Sequence, residues 1–186
     1  MGDKRMSFIT KDDTVLVVVD LQERLMPAMS GREMLEQKAA KLIKGAKVFD
    51  LPMIITQQYT KGIGPTAEVI AEAIGDFQHV EKTSFSCMRN AEFVEKLKAF
   101  GKKNVIICGV EAHICVLQTT LQLMEEGYNV YLAVDCIASR DEDDKLWGIT
   151  RMGEAGAVIT TYESVLYELL QDSKAEGFKE ISAIVK

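Results

Sequence analysis

Three residues of this 186-residue chain could do nucleophilic chemistry together: Asp20, Lys82 and Cys115. Each closes or follows a short apolar run. TVLVVVD ends on Asp20, FQHVEK ends on Lys82, and Cys115 comes just after KNVIICG, in the segment GVEAHICV over 109–116. A thiol is a strong nucleophile once it loses its proton, a carboxylate can accept that proton, and an ammonium beside them favours negative charge on both. Alone, each residue has a plainer use. An Asp after a strand often caps the next helix, a lone Lys usually faces water, and a lone Cys usually packs as a small apolar residue, which is how Cys87, Cys108 and Cys136 are read. Joint placement favours chemistry, because ligands of an open parallel sheet sit beyond the carboxyl ends of its strands. GVEAHICV also joins an apolar run to an amphipathic one. The free N–H groups where a helix starts carry the positive end of its dipole and can support a thiolate or receive an oxyanion.

The elements that must position these residues follow from periodicity. TVLVVVD over 14–20 has no polar alternation and predicts a central strand covered on both faces. PMIITQQ, FQHVEK, KNVIICG, NVYLAVD and AVITT predict five more strands. Between them, Leu35, Ala39, Leu42, Ala46 and Phe49 recur at helical spacing, as do Phe93, Leu97 and Phe100 between an Asn90 cap and Gly101. Leu117, Leu121 and Met124 form a third stripe closed by Gly127. Further helices are predicted over 141–154, 164–171 and 174–181, with KGIGPT as a loop. Strands alternating with helices predict one domain over 1–186, a three-layer α/β/α arrangement around a six-stranded, mainly parallel, Rossmann-like sheet.

Composition excludes several classes. The net charge is −6 and Lys and Arg are scattered, so no basic stripe exists to follow phosphates and no nucleic-acid partner is expected. No P-loop glycine pattern is present and Asp20, in DLQ, lacks the second carboxylate of a DxD metal pair, which speaks against phosphoryl transfer through Asp20. Apolar runs are far shorter than a membrane span. The start MGDKRMSFITKDD has no signal-peptide core and the four cysteines form no CxxC pair, so a cytoplasmic protein with free thiols is expected.

At VVVDLQ, EKTSFS and GVEAHICV the chain resembles the isochorismatase-like cysteine hydrolase superfamily, whose nucleophile loop has the form G-[VTI]-x-[AST]-x-x-C. DCIASR over 135–140 resembles the segment after that family's fifth strand. ITQQYTKGIGPT and TTYESVLYELLQD resemble the metal-independent, isochorismatase-domain-containing subgroup. The resemblance implies roles residue by residue. Asp20 is the base, Lys82 holds Asp20 ionised and lowers the Cys115 pKa, and Cys115 attacks a carbonyl to give an acyl intermediate that water hydrolyses. It also implies an oxyanion hole from the backbone N–H groups of Glu111 and Cys115, a cis bond between Val110 and Glu111, and a homo-oligomeric dimer or tetramer. The apolar stretch over 178–185 is a candidate for the subunit contact. Gln22, Tyr59, Phe85, His113 and Gln118 flank the motifs and are candidate substrate contacts. Trp147 and Arg151 are assigned to the core or to a subunit contact.

Departures from the pattern narrow the reaction. Nicotinamidases bind a metal through an Asp and several His residues after the second strand, where this chain has ITQQYTKGIG. With two histidines, His79 and His113, no His-rich site can be assembled, so neither a metal nor another cofactor is expected. His113 and Cys115 are two residues apart, and such side chains on a helix point to different faces, so they do not make a thiol-protease pair. The favoured expectation is hydrolysis of a small-molecule amide-type C–N bond by Asp20, Lys82 and Cys115. Cleavage of a vinyl ether through Asp20 and a non-catalytic binding protein that keeps the fold are the alternatives.

Overall fold

The computed structural model describes residues 8–186, and its centre is β1 (Thr14–Val19). β2 (Met53–Gln58), β3 (His79–Lys82), β4 (Asn104–Val110), β5 (Asn129–Ala138) and β6 (Val158–Thr160) complete a six-stranded sheet in the order β3-β2-β1-β4-β5-β6. Every neighbouring pair is parallel. The order reverses at β1, between β2 and β4, so the carboxyl ends of those strands open the crevice where an α/β sheet binds ligands.

Side-chain alternation along β1 divides the core. Leu16 and Val18 join a cluster with Leu35 and Leu42 of α1 (Arg32–Val48), Ile70 of α3 (Glu68–Ile74), Leu166 of α7 (Tyr162–Leu170) and Ile181 of α8 (Phe178–Val185). Val15, Val17 and Val19 face the other layer, with Phe93 and Leu97 of α4 (Ala91–Phe100), Leu123 of α5 (Leu117–Glu125) and Met152 of α6 (Glu142–Glu154). Both faces of the strand are buried, as its unbroken Val run requires.

Several elements differ from the sequence reading. KGIGPT is not wholly a loop: α2 (Thr60–Ile63) makes one turn and stops where Gly64 takes φ 86°. α3 was absent from the expectations although Ile70, Ala73 and Ile74 carry helical spacing. α8 starts only after Gly177, at φ 88°, rather than at residue 174. Ile181 is buried in the chain's own core, and Phe178, Ile184 and Val185 pack against it while remaining partly exposed. β5 runs on to Ala138, beyond the expected end at Asp135, because its register against β4 shifts at Ile107 and Gly109, with Gly109 then opposite Ile137. The stripe Leu117, Leu121 and Met124 is displaced. A π-helical turn at Ala112–Val116 precedes α5 and rotates its buried face onto Leu117, Thr119, Thr120 and Leu123. Among the described residues no helix is long and apolar enough to cross a membrane.

Gly109 sets how closely β4 approaches β1 at the carboxyl edge. It has φ 132°, pairs with Val19, and a Cβ there would lie 2.0 Å from the Val19 carbonyl oxygen. Backbone cannot yield by that much without parting the two central strands. Gly109→Ala is therefore expected to destabilise the fold by about 3 kcal/mol or more, read from the urea midpoint. An unchanged midpoint would mean that the two strands separate freely there.

Candidate active site

Asp20 follows β1 directly and takes φ 51°, which turns it out of the strand's alternation. It caps no helix. Its side chain is 0% exposed and both oxygens are held: Thr56 Oγ1 donates to Oδ1 at 2.7 Å and Lys82 Nζ to Oδ2 at 2.6 Å. Lys82, the last residue of β3, is 2% exposed rather than solvent-facing. Its ammonium also donates to Gln58 Oε1 at 2.6 Å and to the Ser84 carbonyl at 3.2 Å. An ammonium has three N–H groups, so this set commits them all.

Cys115 enters from the other layer, in the π-helical turn that follows β4, and is 7% exposed. The peptide bond between Val110 and Glu111 is cis, as the resemblance implied. The Glu111 carbonyl accepts from the N–H groups of Ile114 and Val116, the residues on either side of Cys115. The loop that carries Cys115 is tied outward as well. Glu111 Oε2 accepts from the backbone N–H and Nε of Arg140, and Gly148 of α6 lies so close that a Cβ would sit 3.1 Å from the Ala112 carbonyl oxygen.

The other expected contacts divide. Gln22 is not a free pocket residue: it is 0% exposed, its amide nitrogen donates to the Gln58 and Gly64 carbonyls, and its oxygen accepts from the Gln58 N–H. It fastens the end of β2 to the loop after β1. His113 turns away from Cys115, with Nδ1 2.9 Å from Ser139 Oγ and Nε2 3.6 Å from Asp144 Oδ2. Tyr59 and Phe85 are exposed aromatics beside the Lys82 environment; the Tyr59 N–H donates to the Lys82 carbonyl, and Phe85 follows Ser84. Gln118 is exposed on α5. Trp147 is exposed and lies outside the core, as does Arg151. Among the described residues no three His, Cys, Asp or Glu side chains cluster as a metal site would require.

Thr56 and Gln58 were not picked out from sequence, although they stand two apart at the carboxyl end of β2, and so on one face. Polar residues breaking the apolar run IITQQ were the available signal.

Electrostatics define the resting state. Burial works to lower the Lys82 pKa, but the charge of Asp20, with smaller contributions from Cys87 and Cys115, outweighs it and raises the value, so the amine is an ammonium. Burial pushes the Cys115 thiol up to about 12, and the neighbouring Asp20 carboxylate pushes the same way by charge and by hydrogen bonding. Lys82 pulls the thiol down but does not prevail. This corrects the expectation of a lowered Cys115 pKa: in so dry a site, desolvation and the adjacent anion outweigh one cation that is already paired. Cys87, which is wholly buried and senses the same Asp20 and Lys82 charges, is pushed up to about 11.

Comparison with known proteins bears on this geometry. Residues 14–164 match the isochorismatase domain. The chain is 34% identical to isochorismatase domain-containing protein 2 of Xenopus laevis, over 98% of this chain and 88% of that one. Its structure is similar to that of the MAR1 ribonuclease from Caenorhabditis elegans, with a TM-score of 0.90 and 34% identity, covering 96% of this chain and 92% of that one. YcaC from Pseudomonas aeruginosa, solved with hexane-2,5-diol and covalent acrylamide, is similar with a TM-score of 0.91 and 26% identity, covering 100% of this chain and 92% of that one.

The raised thiol values set a pH window. A group held protonated in the folded chain above its ordinary 9.0 contributes stability that is complete below about pH 9 and declines as pH rises toward 11 to 12. Thiolate absorbance near 240 nm should accordingly be absent from the folded protein through pH 9, while the urea midpoint falls between pH 9 and 11. A thiolate signal titrating below pH 8 and lost in Cys115→Ala would refute the neutral resting thiol.

Proposed function

The chain belongs to the isochorismatase domain family, and on that premise we propose that it is a cysteine hydrolase that cleaves a small amide-type C–N bond through Asp20, Lys82 and Cys115. One observation carries the reading: a buried carboxylate and a buried ammonium are paired at 2.6 Å, and the charges of both act on the Cys115 thiol. Three separate segments of chain deliver those groups to the sheet edge where α/β folds bind ligands.

The reaction follows from the resting charges. As the Cys115 sulfur bonds to the substrate carbonyl carbon, its proton passes to Asp20, so thiolate character exists only while the bond forms. Lys82 stays an ammonium and faces the thiolate in place of the carboxylate charge. The carbonyl oxygen becomes an oxyanion, received by the backbone N–H groups of Glu111 and Cys115 in a loop held by Gly148 and Arg140. Collapse breaks the C–N bond, and Asp20 returns its proton to the departing amine. Asp20 then takes a proton from water as that water attacks the thioester; collapse breaks the C–S bond, Asp20 returns the proton to the sulfur, and the acid leaves with the Cys115 thiol restored. Covalent acrylamide in YcaC supports the reading, since it places an electrophile in covalent linkage with a protein of this fold.

The name of the Caenorhabditis elegans relative raises ribonuclease activity as a second reading. The site favours it less. Phosphodiester cleavage needs a cation free to meet the phosphate, whereas the Lys82 donors are all committed and the chain carries −6 overall.

Turnover of a panel of amides, carbamoyl amines, vinyl ethers and RNA separates these readings. Cys115→Ala should lower amide turnover by about a thousandfold or more with the fold retained, and Asp20→Asn should do the same. Vinyl-ether turnover that survives Cys115→Ala but not Asp20→Asn would shift the reading to carboxylate-driven cleavage. RNA cleavage lost in both variants, with no amide turned over by wild type, would overturn the amide reading.

A further inference from the structure

We propose that Thr56 is a positioning residue for the base: its hydroxyl fixes the plane of the Asp20 carboxylate so that the proton-accepting oxygen faces Cys115. The inference rests on the thiol-hydrolase reading and deepens it. Thr56 lies on β2 and is 1% exposed. It donates to Oδ1 of Asp20 while Lys82, from β3, donates to Oδ2.

The need for a second donor comes from the side chain's own mechanics. The terminal torsion of an Asp is broad, so a carboxylate tethered at one oxygen can still turn about its Cβ–Cγ bond. Lys82 alone would leave that freedom. A second donor on the opposite oxygen, carried by a different strand, removes it. The acceptor geometry toward Cys115 is then a property of the rigid sheet rather than of a rotamer.

The direction of the Thr56 hydrogen bond is also determined. A hydroxyl has one hydrogen and two lone pairs. The Thr56 hydroxyl also acts on the Cys87 thiol, lowering a pKa that burial and the Asp20 charge hold up at about 11, while its 2.7 Å hydrogen bond goes to Asp20 Oδ1. Asp20 is the anion within reach, and the hydrogen goes there. Lys82 from β3, Cys87 from the 3-10 turn after it and Cys115 from the π-helical turn all sense the Asp20 charge. A Val in this strand would fill the same space. A buried hydroxyl without an acceptor is unfavourable, and its presence in the apolar run IITQQ is accounted for by Asp20.

The probe is acrylamide, with the bimolecular rate of Cys115 alkylation followed by mass spectrometry from pH 5 to 9 in the full-length protein. In Thr56→Val the rate should fall about tenfold and the profile should change shape, because the carboxylate is no longer held at both oxygens. Thr56→Ser, which keeps the hydroxyl, should restore both. Thr56→Ala serves as the second hydroxyl-free variant if Thr56→Val does not fold. A hydroxyl-free variant with a wild-type profile overturns the proposal. So does a folded Thr56→Ser that behaves like Thr56→Val, since the methyl group and its packing would then be what matters. Failure of the underlying reading looks different: wild-type Cys115 would alkylate no faster than Cys87, or at a rate indifferent to Asp20→Asn, and the Thr56 role would fall with it.

Discussion

The buried ion pair between Asp20 and Lys82 is the constraint around which the rest of this molecule is arranged. Two full charges out of water are tolerable only when they face each other with good geometry and their remaining hydrogen-bonding capacity is satisfied. Both conditions hold. The pair is 2.6 Å apart, Thr56 meets the second carboxylate oxygen, and Gln58 and the Ser84 carbonyl meet the remaining ammonium protons. Removing one partner of such a pair typically costs about 3–5 kcal/mol. Lys82 therefore carries structural weight as well as the electrostatic role assigned to it. The ends of β1, β2 and β3 are bound together through these two side chains, and Gln22 extends the tie to the loop after β1 by holding both backbone groups of Gln58.

Cys115 reaches this pair from the opposite layer, and the approach depends on backbone rather than on side-chain reach. Gly109 lets β4 close on Val19, one residue before Asp20, and the register of β4 against β5 shifts at the same point. The chain then passes through the Val110–Glu111 bond into a π-helical turn whose flanking N–H groups fold back on the Glu111 carbonyl. Contacts from 139–148 hold that turn from outside: Arg140 on Glu111, Ser139 and Asp144 on His113, and Gly148 on Ala112. The strand pairing sets the charged side of the site and α6 with its entry loop sets the thiol side. Perturbations on the two sides should consequently be separable: one moves the proton acceptor, the other the nucleophile.

The parts legible in the sequence were those written in local pattern. The Val run of β1, the six strands, the Asn90 cap, which accepts from the Phe93 N–H, and the pairing of Asp20 with Lys82 all follow from periodicity, strand ends and the resemblance at its motifs. What stayed hidden depends on distances between strands. Gln22 looked like a pocket residue because it adjoins Asp20, and only the fold shows its amide committed to Gln58 and Gly64. Thr56 looked like one more β-branched strand residue until β2 was set beside β1. The sign of the Cys115 shift was misjudged for a related reason. Counting charges in a sequence gives one cation and one anion near the thiol, but not that burial adds to the anion's effect while the cation is already paired.

That sign changes how the site should be understood. A thiolate held permanently beside a carboxylate would place two negative charges against one ammonium in a nearly dry cleft, and desolvation opposes such an arrangement. A neutral thiol with an ionised carboxylate places one of each. Passing the proton from Cys115 to Asp20 conserves that balance, since one anion replaces the other beside the same ammonium. In the proposed scheme the transfer therefore creates no additional buried charge. Lys82 in this scheme offers its charge to whichever anion the transfer leaves, rather than generating a standing thiolate. Its position between the strand that carries Gln58 and the carboxylate of Asp20, rather than exposed at the mouth where a substrate would meet it, is what that role requires.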